Sequence, residues 1–377
     1  MANIFSSISC NLDENILSAA LPLFETEKVE AIEWSFDTLY KFRNIPDWFA
    51  GLIEAFGKED RLIGHGVYFS LFSGRWTKEQ QEWLTHLEKV SATFQFDHIT
   101  EHFGFMTGEN FHHGAPISIP FTSTTLAIGR DRLKRIYHSC KCPVGLENLA
   151  FSYSLEEVKK HGEFLDQLVE PVNGFIILDL HNLYCQLHNF NIEFEDIIHL
   201  YPLHRVREIH VSGGSTEDSQ IIRGRKIRRD THDDAVPDEV FHLLELSIHK
   251  CPQLKYVVLE QLSNGLDTEE KRNLFRKDFI KMDEIIKKEN ERKRITGTNN
   301  FLPAMNTVPV QPIEDGLLHS QQSTLSDILE TATSYQHALK LLHSSILSNT
   351  DWQIEKWEPY MLETAIAIAQ KWKNGFA

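Results

Sequence analysis

The sequence predicts an α/β protein, a (β/α)8 barrel of the TIM type with a C-terminal helical appendage. Three observations predict it. Eight short apolar runs have strand-like composition, helical patterns lie between successive runs, and several runs end in a polar side chain, as expected where parallel strands share one rim. The chain of 377 residues is long enough for such a barrel, which takes roughly 250 residues, and for an appendage.

The predicted strands cover residues 3–9, 29–35, 61–67, 97–103, 143–149, 174–180, 206–212 and 255–261. The last barrel helix carries an apolar stripe of Phe275, Phe279, Met282 and Ile286. Asp267 and Glu270 read as its capping box. We therefore assign residues 1–290 to the barrel domain.

The segment after the barrel changes composition twice. Residues 291–312 contain charged residues, Asn, Thr and three prolines, which predicts a linker. Residues 313–377 return to a helical pattern and form the predicted helical extension. Its aromatic stripe is expected to pack on the barrel or on a partner, with Gly375 as a helix cap; the stripe consists of Trp357, Met361, Ala365, Ile368 and Trp372.

Charge and hydropathy exclude some classes of protein. A formal net charge of -16 argues against a nucleic-acid partner, which requires clustered cations. The sequence has neither a long apolar span nor an N-terminal signal pattern, so no membrane association is predicted and the expected location is cytoplasmic. Two connections, 104–121 and 212–230, are long enough to shape a substrate site. The second is basic, and Arg223, Arg225 and Arg228 are its candidate substrate-binding residues, although such a cluster is more often a solvated surface loop.

Metal-capable side chains end six of the predicted strands. Each alone has an ordinary explanation, such as a hydrogen-bonded histidine. Together on one rim they predict a nitrogen and oxygen metal site, because a carboxylate that follows apolar strand residues is costly to bury unless it is paired or coordinated. The six are His65, His102, Glu147, Asp179, His210 and Glu260.

A second group could complete a further metal position. Asp230 and His232 follow the seventh strand, and His181 and Asn182 follow the sixth. Zinc, manganese and iron all accept such ligands, and the ligand types alone do not choose among them. The constellation contains no cysteine, which argues against a structural zinc site, and carboxylates able to bridge ions favour a multinuclear centre.

The barrel resembles the multinuclear non-haem iron-dependent oxidative enzymes, which include the methanobactin-synthesis iron oxidase. The resemblance covers residues 1–290. It rests on segments whose order and spacing are specific only as a set: Gly64-His65-Gly66, Thr100-Glu101-His102, Leu146-Glu147-Asn148, Leu178-Asp179-Leu180-His181-Asn182, Glu208-Ile209-His210-Val211-Ser212-Gly213, Asp230-Thr231-His232-Asp233, Val236-Pro237-Asp238 and Leu259-Glu260.

The resemblance implies two or three irons, expected as a mixture of Fe²⁺ and Fe³⁺, with O₂ as co-substrate. It implies one iron at His65, His102 and Glu147, and a third at Asn182, Asp230 and His232. The neighbouring iron between them would be held by Glu147, Asp179, His210 and Glu260. Glu147, Asp179 and His210 are the predicted catalytic residues. Family members often have Asn where this chain has His181, which leaves open whether His181 or Asn182 faces the third metal.

The implied activity is oxidative modification of a ribosomally synthesised precursor peptide, most often at cysteine, with a small partner protein that binds or presents the peptide. Two alternatives remain. One is a xylose-isomerase-like sugar isomerase or an endonuclease-type metal barrel, which a metal assay separates from an iron enzyme. The other is a non-catalytic peptide-binding subunit, which predicts no metal and no effect of Glu147 or Asp179 on product formation.

Overall fold

Eight parallel strands close into a barrel in a computed structural model of the protein, which describes residues 3–38, 45–108, 114–292, 299–304 and 307–373. Each predicted range contains one of these strands, so the predicted fold class is confirmed. The barrel strands are β1 (Phe5–Ser9), β2 (Ala31–Trp34), β3 (Leu62–Gly66), β4 (His98–His102), β7 (Val144–Glu147), β8 (Phe175–Asp179), β9 (Val206–Ser212) and β12 (Tyr256–Glu260). Their order around the barrel is β1-β12-β9-β8-β7-β4-β3-β2.

The two long connections each contain a short antiparallel hairpin. The first is formed by β5 (Phe105–Met106) and β6 (Pro116–Ile117), and the second by β10 (Thr216–Asp218) and β11 (Lys226–Arg228). Part of the first connection, residues 109–113, lies outside the described residues. Both hairpins follow the carboxyl end of a barrel strand, which is where long insertions shape a site.

Helices follow the strands and bury apolar faces against them. They are α1 (Glu14–Glu25), α2 (Asp47–Lys58), α3 (Lys78–Thr93), α4 (Ser123–Cys140), α5 (Leu155–Val169), α6 (Leu180–Phe190), α7 (Phe194–Ile198), α8 (Asp238–Ser247) and α9 (Glu269–Asn290). Helix α9 buries the predicted stripe of Phe275, Phe279, Met282 and Ile286. The capping box predicted at Asp267 is wrong. Thr268 is the N-cap, and Asp267 pairs instead with the Lys271 side chain at 2.9 Å.

The candidate ligands lie at the carboxyl end of the barrel, beyond an apolar cluster. Ala31, Ile63, Tyr256 and Val258, with Phe5, form a cluster at the amino ends of the strands. At the carboxyl ends, the register sets His65 beside Thr100, His102 beside Glu147, and Asp179 beside His210. This register brings residues distant in sequence to one rim.

Three further helices follow the barrel: α10 (Gly316–Thr331), α11 (Tyr335–His343) and α12 (Pro359–Trp372). Trp357, predicted as part of the last helical stripe, precedes α12, because the chain is extended at Trp357 and the helix begins at Pro359. Gly375, the predicted cap, lies outside the described residues. The division into a barrel, a linker and an extension stays a prediction. In the described part of the chain, none of the helices combines the length and apolar character needed to span a bilayer.

His161 on α5 gives a prediction for stability against pH. Its Nε2 accepts a hydrogen bond from the Leu149 backbone N–H at 3.1 Å, and burial lowers its pKa to about 3. Below pH 6.5 the unfolded chain therefore binds a proton that the folded chain refuses, and stability falls as the pH falls. The loss is about 2 kcal/mol at pH 5. Urea unfolding of His161→Gln should show that much less destabilisation between pH 7 and pH 5 than the wild type. An equal pH dependence would contradict the assignment.

Candidate metal centre

The first group of ligands combines two histidines and one glutamate at the ends of β3, β4 and β7. Glu147 Oε2 lies 3.6 Å from His65 Nε2 and 3.5 Å from His102 Nε2. The Nδ1 atoms of both histidines make hydrogen-bond contacts on the opposite side of each ring. His65 Nδ1 is 2.8 Å from the Thr100 hydroxyl, and His102 Nδ1 is 3.1 Å from the Gly66 carbonyl. These contacts fix both rings with Nε2 directed at Glu147, the arrangement that outer partners of metal-binding histidines produce.

The second group shares Glu147 with the first. His210 Nδ1 lies 3.8 Å from Glu147 Oε1, 3.9 Å from Asp179 Oδ2 and 3.3 Å from Glu260 Oε2. Asp179 is also the N-cap of α6, where its other oxygen accepts from the Asn182 backbone N–H at 2.5 Å. One oxygen of Asp179 therefore serves the helix and the other faces the cluster.

The third group lies beside Glu260, in the loop after β11. His232 Nδ1 is 3.4 Å from Glu260 Oε2, and His232 Nε2 is 2.8 Å from Asp230 Oδ1. His232 has a φ of 50°, in the left-handed region that residues other than glycine rarely adopt. Strained conformations of this kind cluster at functional sites.

His181 and Asn182 face this region in different ways. His181 Nδ1 is 3.0 Å from Asp230 Oδ1, and its Nε2 accepts from Arg228 Nε at 3.3 Å, so both ring nitrogens are engaged. Asn182 donates to Glu147 Oε1 at 3.1 Å, and its own Oδ1 has no hydrogen-bond partner among the described residues. This difference favours Asn182 over His181 as the residue with a free ligand atom.

The buried cluster contains polar atoms without hydrogen-bond partners and carboxyl groups with raised pKa values. Four of its ligand atoms find no hydrogen-bond partner within the described residues: Glu147 Oε2, Asp179 Oδ2, His210 Nδ1 and Glu260 Oε2. Burial raises the pKa of Glu147 well above the ordinary range, and burial together with Asp230 raises the pKa of Asp179 to about 7. Unpartnered buried atoms of this kind fit bound cations, which would supply the missing ligand bonds.

Sequence reasoning missed the carboxylates beneath His210. Glu33 on β2 and Glu208 on β9 are fully buried. Their carboxylate oxygens lie 3.1 Å and 3.4 Å from His210 Nε2, on the side of the ring away from Glu147. Glu208 also contacts His98 Nε2 at 2.8 Å. The signal that could have found Glu33 is a carboxylate between Ile32 and Trp34, inside a predicted strand.

The structure separates the three arginines of the basic connection. Arg228 approaches His181 and lines the cavity above the cluster. Arg225 lies over the Tyr360 ring, 4.5 Å from its centroid, and borders a different surface cleft. Arg223 is exposed. Only Arg228 of the three lies near the candidate ligands, and substrate binding by all three arginines stays a prediction.

A cavity of about 390 Å³ opens above the cluster. Its floor includes His65, His102, His232 and Glu260, whereas Glu147 and His210 lie deeper. The side chain of His102 keeps 26% of its surface exposed. A substrate entering the cavity would therefore meet the cluster from the side of His102 and His232.

Curated relatives match about half to two thirds of the chain. A UPF0276 protein of Caulobacter vibrioides (strain NA1000 / CB15N) is 25% identical over 196 residues, 52% of this chain and 66% of the relative. The chain thus spans just under two thirds of that relative's length. A UPF0276 protein of Acaryochloris marina is 22% identical over 242 residues, 63% of this chain and 74% of the relative.

Solved structures with a similar barrel are more distant. The IOLI protein with a bound zinc atom has a TM-score of 0.45 at 14% identity, covering 76% of this chain and 99% of that one. Endonuclease IV from Thermus thermophilus has a TM-score of 0.47 at 10% identity, covering 74% of this chain and 99% of that one. These likenesses concern the fold alone.

The model of one protein family matches residues 44–270, more than half of the chain. The matched range contains all nine predicted ligands, from His65 to Glu260, and ends before α10. The family is described as the RiPP precursor modification enzyme MbnB/TglH/ChrH. The chain belongs to this family of enzymes that modify RiPP precursors.

Proposed function

We propose that the protein is a multinuclear iron enzyme that uses O₂ to oxidise a ribosomally synthesised precursor peptide, most often at cysteine. The observation that carries this proposal is the position of Glu147. Its two oxygens face two separate groups of ligand atoms, His65 with His102 on one side and His210 on the other. A carboxylate placed in this way can bridge two metal ions.

The residues fit such a centre by charge and by ligand type. Glu147, Asp179, Asp230 and Glu260 carry four negative charges when ionised, which two divalent cations would balance. Imidazole nitrogens and carboxylate oxygens suit iron. We assign one iron to His65, His102 and Glu147, and its neighbour to Glu147, Asp179, His210 and Glu260. A third position would use Asn182, Asp230 and His232. When bound, iron would supply one-electron chemistry with O₂ that no side chain of this chain can provide.

The protein's own contribution is to hold this ligand set in a fixed orientation. Thr100 and the Gly66 carbonyl orient His65 and His102, and Glu33 and Glu208 hold His210 from below. Rigid orientation before the reaction lowers the cost of bringing the reacting groups together. We propose Glu147, Asp179 and His210 as the catalytic residues because they lie at the centre of the cluster.

The cavity fits a peptide side chain better than a folded partner. A cysteine thiolate could reach the cluster beside His102 and His232, and a thiolate is a strong ligand for iron. We also propose that a small partner protein binds the peptide or presents it to the enzyme. The family membership supports a RiPP precursor as the class of substrate.

Coexpression with the precursor peptide from a neighbouring reading frame should test the function. We expect the peptide mass to change only in aerobic cultures, because the proposed oxidation consumes O₂. Changing the modified Cys of the peptide to Ser should abolish the mass change, and mass spectrometry measures both. An unchanged wild-type peptide, with every adjacent partner protein present, would sink the proposal. Modification of the Cys→Ser peptide at the same position would sink the cysteine assignment alone.

A further inference from the structure

Helix α12 forms one wall of the cavity above the metal cluster. The opposite wall and the floor come from barrel residues, including Tyr68, Phe103 and Leu149. The helix lies outside the 44–270 range that matches the family. One side of the cavity is therefore built by a segment that follows the barrel in sequence.

The helix is tied to four separate parts of the barrel. Its N-terminal end is bound by the Glu358 N–H, which donates to the Tyr153 carbonyl at 2.8 Å, and by the Tyr360 hydroxyl, which donates to the Asn189 carbonyl at 2.9 Å. Near its middle, the Glu363 carboxylate accepts from the Ser219 hydroxyl at 2.6 Å.

At the C-terminal end, the Trp372 carbonyl accepts from the Gly114 N–H at 2.9 Å. On the side of the extension, Gln370 donates to the Leu329 and Ala332 carbonyls at 3.2 Å and 2.7 Å. Contacts at both ends and in the middle make α12 a fixed wall, held across the rim of the barrel.

One stripe of this helix faces the cavity. Met361, Thr364, Ile368 and Trp372 line it, and their spacing of three or four residues places them on one helical face. Ala367, next to Ile368, is exposed and points elsewhere. The stripe is largely apolar, so the wall favours an apolar side chain of the occupant.

Three cations border the same cavity, and one of them, Arg229, is paired with Glu217 at 2.6 Å. Arg228 lies on the barrel side, and Lys371 lies on α12, with its ammonium 4.7 Å from the centroid of the Trp372 ring. Both can attract a carboxylate of an occupant that reaches the mouth of the cavity. Apolar and cationic surfaces thus lie side by side above the cluster.

We propose that α12 selects the segment of the precursor peptide next to the reacting residue, with an apolar side chain against Met361, Ile368 and Trp372 and a carboxylate near Lys371 and Arg228. This inference rests on the proposed function, which supplies the peptide. A cavity of about 390 Å³ is at the small end for ligand sites. It therefore admits a short segment, and the rest of the peptide lies outside.

Anilinonaphthalene sulfonate, a fluorescent dye with an apolar body and one anionic group, is the probe for this cavity. The test compares Ile368→Glu with its matched control Ala367→Glu in full-length, iron-loaded protein. Both variants add the same charge at adjacent positions of one helix. We expect dye affinity of the wild type and of Ala367→Glu to agree, and that of Ile368→Glu to fall about tenfold through desolvation and repulsion. Iron content should be equal in all three proteins.

Equal dye affinity of Ile368→Glu and Ala367→Glu would overturn the inference, and so would a wild type that does not bind the dye. If circular dichroism shows that Ile368→Glu is unfolded, Lys371→Glu decides, because Lys371 is exposed and tolerates substitution. Weaker dye binding by Lys371→Glu supports the inference, and unchanged binding overturns it. Dye binding and iron content are measured without turnover. A result that contradicts the proposed role of α12 is therefore distinguishable from one that contradicts the proposed peptide oxidation.

Discussion

Replacing Glu147 with Gln is expected to remove metal from two positions at once. Its carboxylate lies 3.5 and 3.6 Å from His102 and His65 and 3.8 Å from His210, and the Gln amide cannot bridge cations through two charged oxygens. We expect peptide oxidation to fall by more than about a hundredfold, because even the outer partners of metal ligands are worth 10- to 100-fold. Elemental analysis and Mössbauer spectroscopy measure the iron, and mass spectrometry measures the product.

Glu157→Gln is the matched control for this substitution. Glu157 lies away from the cluster, its Oε2 accepts from the Tyr153 N–H at 2.8 Å, and burial raises its pKa to about 7. The control should keep the iron content and turnover of the wild type. Full iron occupancy and normal turnover in Glu147→Gln would remove the bridging role. Zinc in place of iron in active wild-type protein would overturn the choice of metal.

The barrel could be predicted because its signals are local. Each strand is a short apolar run and each helix has an amphipathic stripe, so periodicity alone separates them. The common rim then follows from parallel topology. For this reason the strand-end residues His65, His102, Glu147, Asp179 and His210 converge as expected.

Carboxylates in the middle of strands were harder to find. Glu33 and Glu208 precede the strand ends and alternate with apolar neighbours, which is also the pattern of a solvent-facing residue on a half-exposed strand. In this closed barrel, the face of the strand that carries Glu33 and Glu208 points into the interior. The sequence pattern does not distinguish these two faces, whereas the structure puts both carboxylates beneath His210.

In the basic connection, the sequence could not predict the directions of the arginine side chains. Neighbouring arginines look like one patch in sequence, but the β11 hairpin alternates their directions. Arg229 pairs with Glu217 at 2.6 Å, Arg228 turns toward His181, and Arg225 lies on Tyr360. Partners from distant parts of the chain decide these directions, and spacing alone carries no information about them.

One of the contacts that hold the extension on the barrel is an aromatic stack at Trp357, whose place sequence spacing misread. Trp357 fits the helical stripe of the extension by spacing, yet it precedes α12 and stacks on Tyr153 with ring centroids 3.7 Å apart. Its Nε1 donates to the Trp352 carbonyl at 2.8 Å, and only 8% of the residue is exposed. The contact joins the extension to the loop after β7.

Trp357→Ala is therefore expected to lower the free energy of unfolding by about 3–5 kcal/mol, the usual cost of removing a buried Trp side chain. That is a large part of the roughly 5–15 kcal/mol that stabilises a typical protein. Urea unfolding measures the change. Trp48→Ala is the control, because Trp48 is 58% exposed and its loss should cost no more than about 0.5 kcal/mol. If Trp357→Ala lowered the free energy of unfolding no more than Trp48→Ala does, Trp357 would contribute no more than an exposed residue. The stack on Tyr153 would then not hold the extension.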